Sequence, residues 1–340
     1  MRKNPMLAIF TTVFIDLLGF GILIPVFPLL ITDGPFRVTP DGWSFTQGMI
    51  MLGWLQAIYP FCMFIAAPIL GQLSDRHGRR PVLALSIFGT AIGYVLFAIG
   101  ISTGNLPLLF AARGLDGMTG GNLAVAQAAI GDISTHENRA KNFGYMGAAF
   151  GMGFIVGPYL GGKLSSPSVS FYGLFDTPHW FGATTPFWFA AILALLNCTA
   201  VLTTFPETIK EKFHGGKIRV GQSLNNVVNG FKSDRLRVIL ISSFLFSAGF
   251  TFFTTFFGVY LRNKFSFSSS KIGDYFAIVG LCIALSQGLV VGRVAKKLVD
   301  FKVLKFSMFG TGAMMLVYFL TPTTSSMYLY MVIPFFATFN

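Results

Sequence analysis

Among the charged side chains within the apolar stretches of this 340-residue sequence, three are best placed to do chemistry. Asp16 lies within the first apolar stretch, and Arg113 and Asp116 lie three residues apart in the fourth. A spacing of three puts two helical side chains on one face, so Arg113 and Asp116 can neutralise each other. A lone carboxylate in low-dielectric surroundings can bind and release a proton. Asp16 is therefore a candidate proton carrier, and the alternative is a structural contact with a neighbouring helix.

Uncharged polar side chains in the same stretches are candidates for contacts with a solute. Gln56 lies in the second stretch, Asn122 and Gln127 lie in the fourth, and Gln287 lies in the eighth. Polar side chains of membrane-crossing helices face a neighbouring helix or a water-filled cavity. We expect these four, with Asp16 and Arg113, to line a cavity that admits a small molecule.

The composition places the chain in a membrane. Hydrophobic residues make up 53% of the sequence and charged residues 11%, whereas soluble domains carry about 25% charged residues. The mean hydropathy is +0.66. A membrane-crossing helix needs about 20 mainly apolar residues. The sequence therefore predicts an all-α membrane protein in a lipid bilayer, with spans at residues 6–31, 46–70, 82–102, 106–130, 142–163, 185–205, 236–261, 272–292, 303–320 and 326 onward.

The distribution of positive charge predicts how these spans are oriented. Of the 25 Lys and Arg residues, 19 fall in segments on the side of the N-terminus and five on the other side, while Arg113 lies inside a span. Positively charged segments stay in the cytoplasm, so we expect a cytoplasmic N-terminus. The orientation in the membrane accounts for the net charge of +12, so we expect no nucleic-acid partner.

One long polar segment divides the chain. It is rich in Lys, Gly and Asn and follows six predicted spans. We therefore expect an N-terminal six-helix bundle at residues 1–208, a cytoplasmic linker at 209–235 and a partial second bundle at 236–340.

The segment between the second and third spans has a distinctive sequence, running from Gly71 to Pro81. It supplies one carboxylate, three guanidinium groups and two glycines where the chain must leave one helix and enter the next. It resembles the signature G-x-L-x-D-R-x-G-R-[KR] of the major facilitator superfamily. The matching residues include Gly71, Asp75, Arg76, Gly78, Arg79 and Arg80.

This resemblance implies that the segment is a gating loop. Asp75 would pair with an arginine in a contact that breaks when two helical bundles rock, with Asp132, Glu137 and Arg139 as partners from the loop after the fourth span. The alternative is that the arginines only fix the orientation of the chain.

Two further segments resemble the tetracycline-resistance-type drug/proton antiporters of this superfamily. The stretch from Asp16 to Pro28 reads D-x-x-G-x-G-x-x-x-P-x-x-P, which is similar to their first helix. Arg113 and Gly117 match an R-x-x-x-G pattern, which implies a role for Arg113, next to Asp116, in proton transfer. On the residues alone, a self-compensating ion pair remains the alternative.

The fifth span carries a glycine motif that also resembles these antiporters, G-x-x-x-G-P-x-x-G-G. Its fixed positions are Gly153, Gly157, Pro158, Gly161 and Gly162. Physically, glycines four residues apart make a smooth face for helix packing, and the proline adds a bend. The resemblance adds that this bend seals the cavity against proton leak and marks exporters.

Because they resemble the motifs of this superfamily, these segments imply a secondary transporter that works by alternating access. They imply the major facilitator fold of twelve helices, of which about ten are present, so we expect a C-terminally incomplete chain. Further expectations are a monomer in a bacterial inner membrane, no cofactor, and proton-coupled efflux of a small amphipathic or hydrophobic compound. The third span, from Ser86 to Tyr94, carries glycine where tetracycline pumps have an acidic residue, which favours a substrate other than tetracycline.

Other functions have less support in the sequence. The sequence has no G-x-S-x-G, H-E-x-x-H or phosphate-loop pattern, and its four histidines are far apart, so we predict neither an enzyme nor a metal site. A proton-coupled importer of a metabolite is an alternative in the same class. A non-transporting membrane partner or receptor is an alternative from another class.

Overall fold

The computed structural model describes residues 5–32, 34–170, 176–209, 221–286, 300–320 and 327–339. These ranges are helical apart from connecting segments and one isolated β-bridge between Ser170 and Asp176. The described helices are α1 Pro5–Ile31, α2 Phe45–His77, α3 Arg79–Ser102, α4 Leu106–Thr119, α5 Asn122–Ile133, α6 Arg139–Leu164, α7 Thr185–Thr204, α8 Gln222–Lys232, α9 Asp234–Phe265, α10 Ser269–Ser286, α11 Asp300–Leu320 and α12 Met327–Phe339.

The all-α membrane architecture is confirmed. In the described ranges, seven helices are long and apolar enough to cross a bilayer, namely α1, α2, α3, α6, α7, α9 and α10. The predicted fourth span corresponds to α4 with α5, and the last two predicted spans correspond to α11 and α12.

The fourth span is broken, and the prediction of one continuous helix over 106–130 is wrong. Helix α4 ends at Thr119 and α5 begins at Asn122. Gly120 and Gly121 separate them, and glycine has a low helix propensity. Both glycines approach α2: a Cβ atom at Gly121 would lie 2.6 Å from Leu70 Cδ1, and one at Gly120 would lie 2.9 Å from the Tyr59 hydroxyl.

The junction between α2 and α3 is much shorter than the expected loop over 71–81. Helix α2 continues to His77, α3 starts at Arg79, and Gly78 alone connects them. Gly78 has a φ of 106°, in the region that favours glycine. A Cβ atom there would also collide with the carboxylate of Glu207. The predicted gating residues therefore lie on two helix ends instead of a loop.

Two apolar cores hold the helices together. In the first bundle, α1 packs mainly on α6 and α7, and α3 packs on α4 and α7, around a core that includes Leu18, Phe97 and Phe187. A second core joins α9, α10, α11 and α12 and contains Phe257 and Tyr275. Helix α6 also packs along α10, which connects the two groups.

The predicted linker contains the amphipathic helix α8. Val227, Val228 and Phe231 are exposed on it and share one face by their spacing of three and four residues. Such a pattern is typical of a helix that lies on a membrane surface. The boundaries of the linker at 209 and 235 stay a prediction.

Candidate functional site

Arg113 and Asp116 form a buried ion pair in the first bundle. The Arg113 Nη1 atom lies 3.0 Å from Asp116 Oδ2, and the side chains are 4% and 8% exposed. The guanidinium group also lies over the ring of Tyr59, 4.6 Å from its centroid. Its Nε and Nη2 atoms are buried and have no hydrogen-bond partner in the described part of the chain. Because a guanidinium group stays protonated, Arg113 is a permanent positive charge within the membrane-spanning part of the protein.

Arg113 faces the interior of the first bundle, where it lines a small void. The void that it lines has a volume of only about 10 Å³ and is closed by Leu23, Phe97 and Phe187. Gly93 of α3 allows the close approach of Asp116, whose Cβ atom would lie 3.2 Å from a Cβ atom at that glycine. The void is too small for an organic molecule, and the contribution of Arg113 to a solute cavity stays a prediction.

Asp16 lies next to this pair and has a neutral partner. Its Oδ1 atom accepts a hydrogen bond of 2.9 Å from Asn122 Nδ2, at the first residue of α5. Asp16 also interacts electrostatically with Asp116, so two carboxylates and one guanidinium share the region. The hydroxyl of Tyr94 reaches α1 at Gly19, where a Cβ atom would collide with it. The structure therefore brings Asp16, Arg113, Asp116 and Asn122 together.

The other predicted cavity residues are more dispersed. The Oε1 atom of Gln56 is buried and has no hydrogen-bond partner among the described residues, and Gln56 lies one turn before Tyr59 on α2. Gln127 is exposed on α5. Gln287 lies outside the described residues.

The residues of the α2–α3 junction form a second charged network. Arg79 is 7% exposed and contacts Asp75 Oδ1 at 2.7 Å and Asp132 Oδ2 at 3.0 Å. Its Nη1 atom also donates to the Ser74 hydroxyl at 2.5 Å. Of the three partners expected for this segment, Asp132 contacts Arg79, whereas Arg139 lies over the ring of Phe143.

Sequence reasoning missed the role of Glu207 in this network. Its carboxylate accepts hydrogen bonds from the backbone N–H groups of Arg79, at 2.8 Å, and of Arg80, at 3.3 Å. It therefore caps the N-terminus of α3, where a negative charge is favourable. The Thr208 hydroxyl donates to Asp132 at 3.1 Å, so the chain leaving α7 is bound to the same network. Arg80 also donates to the Leu202 carbonyl, and Arg76 and Gly71 lie in the last turns of α2.

The glycine motif of α6 serves two different interfaces. Gly153, Gly157 and Gly161 face α1, and a Cβ atom at each would lie 2.7 Å from an α1 atom. Gly162 faces α10 instead, where its Cβ atom would lie 2.9 Å from the Cα atom of Gly273. Pro158 packs against Gly21 of α1. Helix α6 therefore packs against α1 in the first bundle and against α10 in the second group of helices.

A third charged contact, between α6 and α10, was not predicted. The Lys163 Nζ atom lies 2.9 Å from Asp274 Oδ2 and donates to the Ser270 hydroxyl at 2.9 Å. Lys163 is the last residue of the predicted span 142–163, a position where a charged side chain can reach water, but the residue is 8% exposed. A signal was available in the sequence, because Asp274 is an acidic residue near the start of an apolar stretch.

These features define a class of protein: a multi-pass helical membrane protein with charged groups buried between its helices, as in proteins that move solutes or ions. The sequence matches the Major Facilitator Superfamily over residues 9–340. The chain belongs to this superfamily. It is a secondary transporter of the membrane, and the predicted resemblance is confirmed.

Relatives and solved structures agree with this assignment. Tetracycline resistance protein, class B, of Escherichia coli is 33% identical over 300 residues, which cover 87% of this chain and 68% of that protein. Multidrug resistance protein 1 of Bacillus subtilis (strain 168) is 28% identical over 304 residues, covering 87% and 66%. The matching superfamily and the similar solved structures are of transporters and not of enzymes.

Among solved structures, the nucleoside transporter NupG superposes with a TM-score of 0.68 at 14% identity and covers 99% of this chain and 80% of its own. The human organic anion transporter MFSD10 (TETRAN) superposes with a TM-score of 0.64 at 22% identity, covering 98% and 82%. At such identities the likeness shows the fold alone.

Proposed function

We propose that the chain exports a small amphipathic or hydrophobic organic compound in exchange for protons. The proposal rests on two neighbouring carboxylates, one of which has a charged partner and the other a neutral partner. Asp116 is paired with Arg113, so neutralising it would leave a buried guanidinium uncompensated. Asp16 has an amide partner, so it can gain a proton without breaking an ion pair. Asp16 is thus the proton carrier, and the Arg113–Asp116 pair sets the field around it.

The relatives support export as the direction of transport. They include tetracycline resistance proteins and multidrug resistance proteins, whose names describe protection from toxic compounds. The α6 glycine motif, with Gly157 and Pro158 at its centre, is in place, and it packs on α1 near the residues that follow Asp16. The third span favours a substrate other than tetracycline, so the compound class is the broader lipophilic one.

Asp16→Asn tests this proposal in proteoliposomes. An amide cannot titrate, so a proton gradient should no longer drive accumulation of a lipophilic test compound, while exchange down its own gradient persists. The measurement is uptake with and without an imposed pH gradient. Asp41→Asn is the matched control because Asp41 is exposed between α1 and α2. Normal gradient-driven accumulation by Asp16→Asn would remove Asp16 from the mechanism.

We further propose that the N-terminus and the α2–α3 junction are cytoplasmic, in a bacterial inner membrane. The asymmetry of Lys and Arg motivates this orientation. Arg79 is too buried to label, but His77 is exposed in the last turn of α2 and Asp41 is exposed at the other end. A cysteine at position 41 should react with an impermeant thiol reagent in intact cells, and one at position 77 should react only after lysis. The reverse pattern would overturn the orientation.

A further inference from the structure

A groove between α6 and α10 lies apart from the Asp16 site. It has a volume of about 620 Å³. Tyr159, Lys163 and Asp274 line its polar end, and the rest of its wall includes Ile155, Ile278 and Leu281. Ile278 and Leu281 are 41% and 52% exposed, so the groove opens sideways to the surroundings of the helices.

The groove is polar at one end and apolar along its length. The two helices run antiparallel, because Gly162 meets Gly273 while Ile155 meets Gly280. Lys163 near the end of α6 and Asp274 near the start of α10 therefore share one end. From Lys163 to Ile155 the apolar wall extends for eight residues of helix, or about 12 Å. This shape fits an amphiphile whose head group lies at the Lys163 end.

The polar end offers charges of both signs. An ammonium group has three N–H donors, and in the described part of the chain Lys163 uses two of them, on Asp274 and Ser270. The Asp274 side chain is 37% exposed, against 10% for Lys163. A phosphate can take the remaining donor of Lys163, and a compact ammonium can donate to the Asp274 carboxylate. A quaternary ammonium has no N–H group to donate.

We propose that this groove binds one bilayer phospholipid with a primary-amine, zwitterionic head group. Its phosphate accepts from Lys163, its ammonium donates to Asp274, and an acyl chain lies along Ile155, Ile278 and Leu281. The charge complementarity of the pair selects the head group, and the sideways opening gives access from the bilayer. This inference does not depend on proton exchange at Asp16.

Native mass spectrometry of the full chain tests the proposal. The chain is released from nanodiscs that contain equal amounts of phosphatidylethanolamine, phosphatidylcholine and phosphatidylglycerol with identical acyl chains. We expect one retained phosphatidylethanolamine per chain, in at least tenfold excess over the other two lipids. Equal retention of the three lipids, or preferred retention of phosphatidylglycerol, would overturn the assignment.

Two variants separate head-group from tail contacts. Asp274→Asn should abolish the preference for phosphatidylethanolamine over phosphatidylcholine, with Lys271→Gln as control for an exposed charge on the same helix. Ile278→Trp should fill the groove and prevent retention while leaving the ion pair intact, with Leu285→Trp, at another exposed position of the same helix outside the groove, as control. If the Ile278→Trp variant still retains the lipid, the lipid binds elsewhere and the proposal is wrong. This result decides the proposal even if the Asp274→Asn variant does not fold.

Discussion

The Arg79 network and the Lys163–Asp274 pair lie at opposite ends of the helices, and they differ in what they connect. Arg79 joins α2, α3 and the end of α5 within the first bundle, and it has two carboxylate partners. Lys163 joins the first bundle to α10 and has a single carboxylate partner. The first contact can stay intact while two rigid groups move against each other, whereas the second must stretch or break. The first contact therefore stabilises one bundle, whereas the second is the one that the proposed alternating-access cycle would change.

The largest effect is expected for Arg79→Ala. The change leaves Asp75 and Asp132 without their guanidinium partner, although both carboxylates are partly solvated, so we expect a loss of about 2 kcal/mol or more in the free energy of unfolding. An SDS titration of the purified chain measures it. Arg139→Ala, which removes a guanidinium only from a contact with the Phe143 ring, is the control. Equal stability of the two variants would show that the network contributes nothing to the first bundle.

Alanine substitutions of the α6 glycines sharpen the same contrast. A Cβ atom at Gly157 would lie 2.7 Å from the Leu18 carbonyl, inside the first bundle, and one at Gly162 would lie 2.5 Å from the Ser269 carbonyl, between the bundles. Both add overpacking strain of about 1–3 kcal/mol, because the neighbouring atoms are backbone.

The two glycine variants should nevertheless differ in where the strain acts. We expect Gly157→Ala to lower the unfolding midpoint of the first bundle, and Gly162→Ala to move α10 away from α6. Spin labels at Tyr145 and Leu285, both exposed, report that separation. Gly144→Ala is the control, because nothing lies within 4 Å of a Cβ atom there. Identical behaviour of all three variants would contradict the close packing.

The smallest effect is expected for the Lys163–Asp274 pair. Lys163→Met should cost about 1 kcal/mol, because Asp274 is already partly exposed and can be solvated. The distribution of distances between the same spin labels should nevertheless broaden, since the contact crosses the bundles. The double variant Lys163→Asp with Asp274→Lys should restore a narrow distribution. If the double variant is as broad as the single one, the charges do not hold the bundles together.

Local patterns made much of this molecule predictable from sequence. The apolar stretches fix most helices because about 20 apolar residues are needed to cross a bilayer. The Arg113–Asp116 pair follows from a spacing of three, and its geometry agrees with that expectation. The family motif indicated Asp132 as a partner of the α2–α3 segment, and Asp132 contacts Arg79 across 53 residues of sequence, although Arg79 was not the residue expected to make this contact.

Features that depend on distant contacts were not predictable. In the sequence, Lys163 looks like an ordinary charge at the end of a membrane span. Its contact with Asp274, 111 residues away, is visible only in the structure. The break between α4 and α5 depends on how closely two glycines approach α2, which hydropathy cannot show. Gln127 lies on the same helix as Asn122, but the spacing of five residues puts it on a different face, where it is exposed.

That break also changes what Asp16 faces. Helix α5 starts at Asn122 after Gly121, which supplies no side-chain cap, and the Asn122 side chain donates to the Asp16 carboxylate. A helix N-terminus carries roughly half a positive elementary charge. The C-terminus of α4, only two residues away, carries a comparable partial negative charge, so the two helix ends nearly cancel. The break therefore gives Asp16 a neutral hydrogen-bond donor, Asn122, without adding a net charge beside the carboxylate.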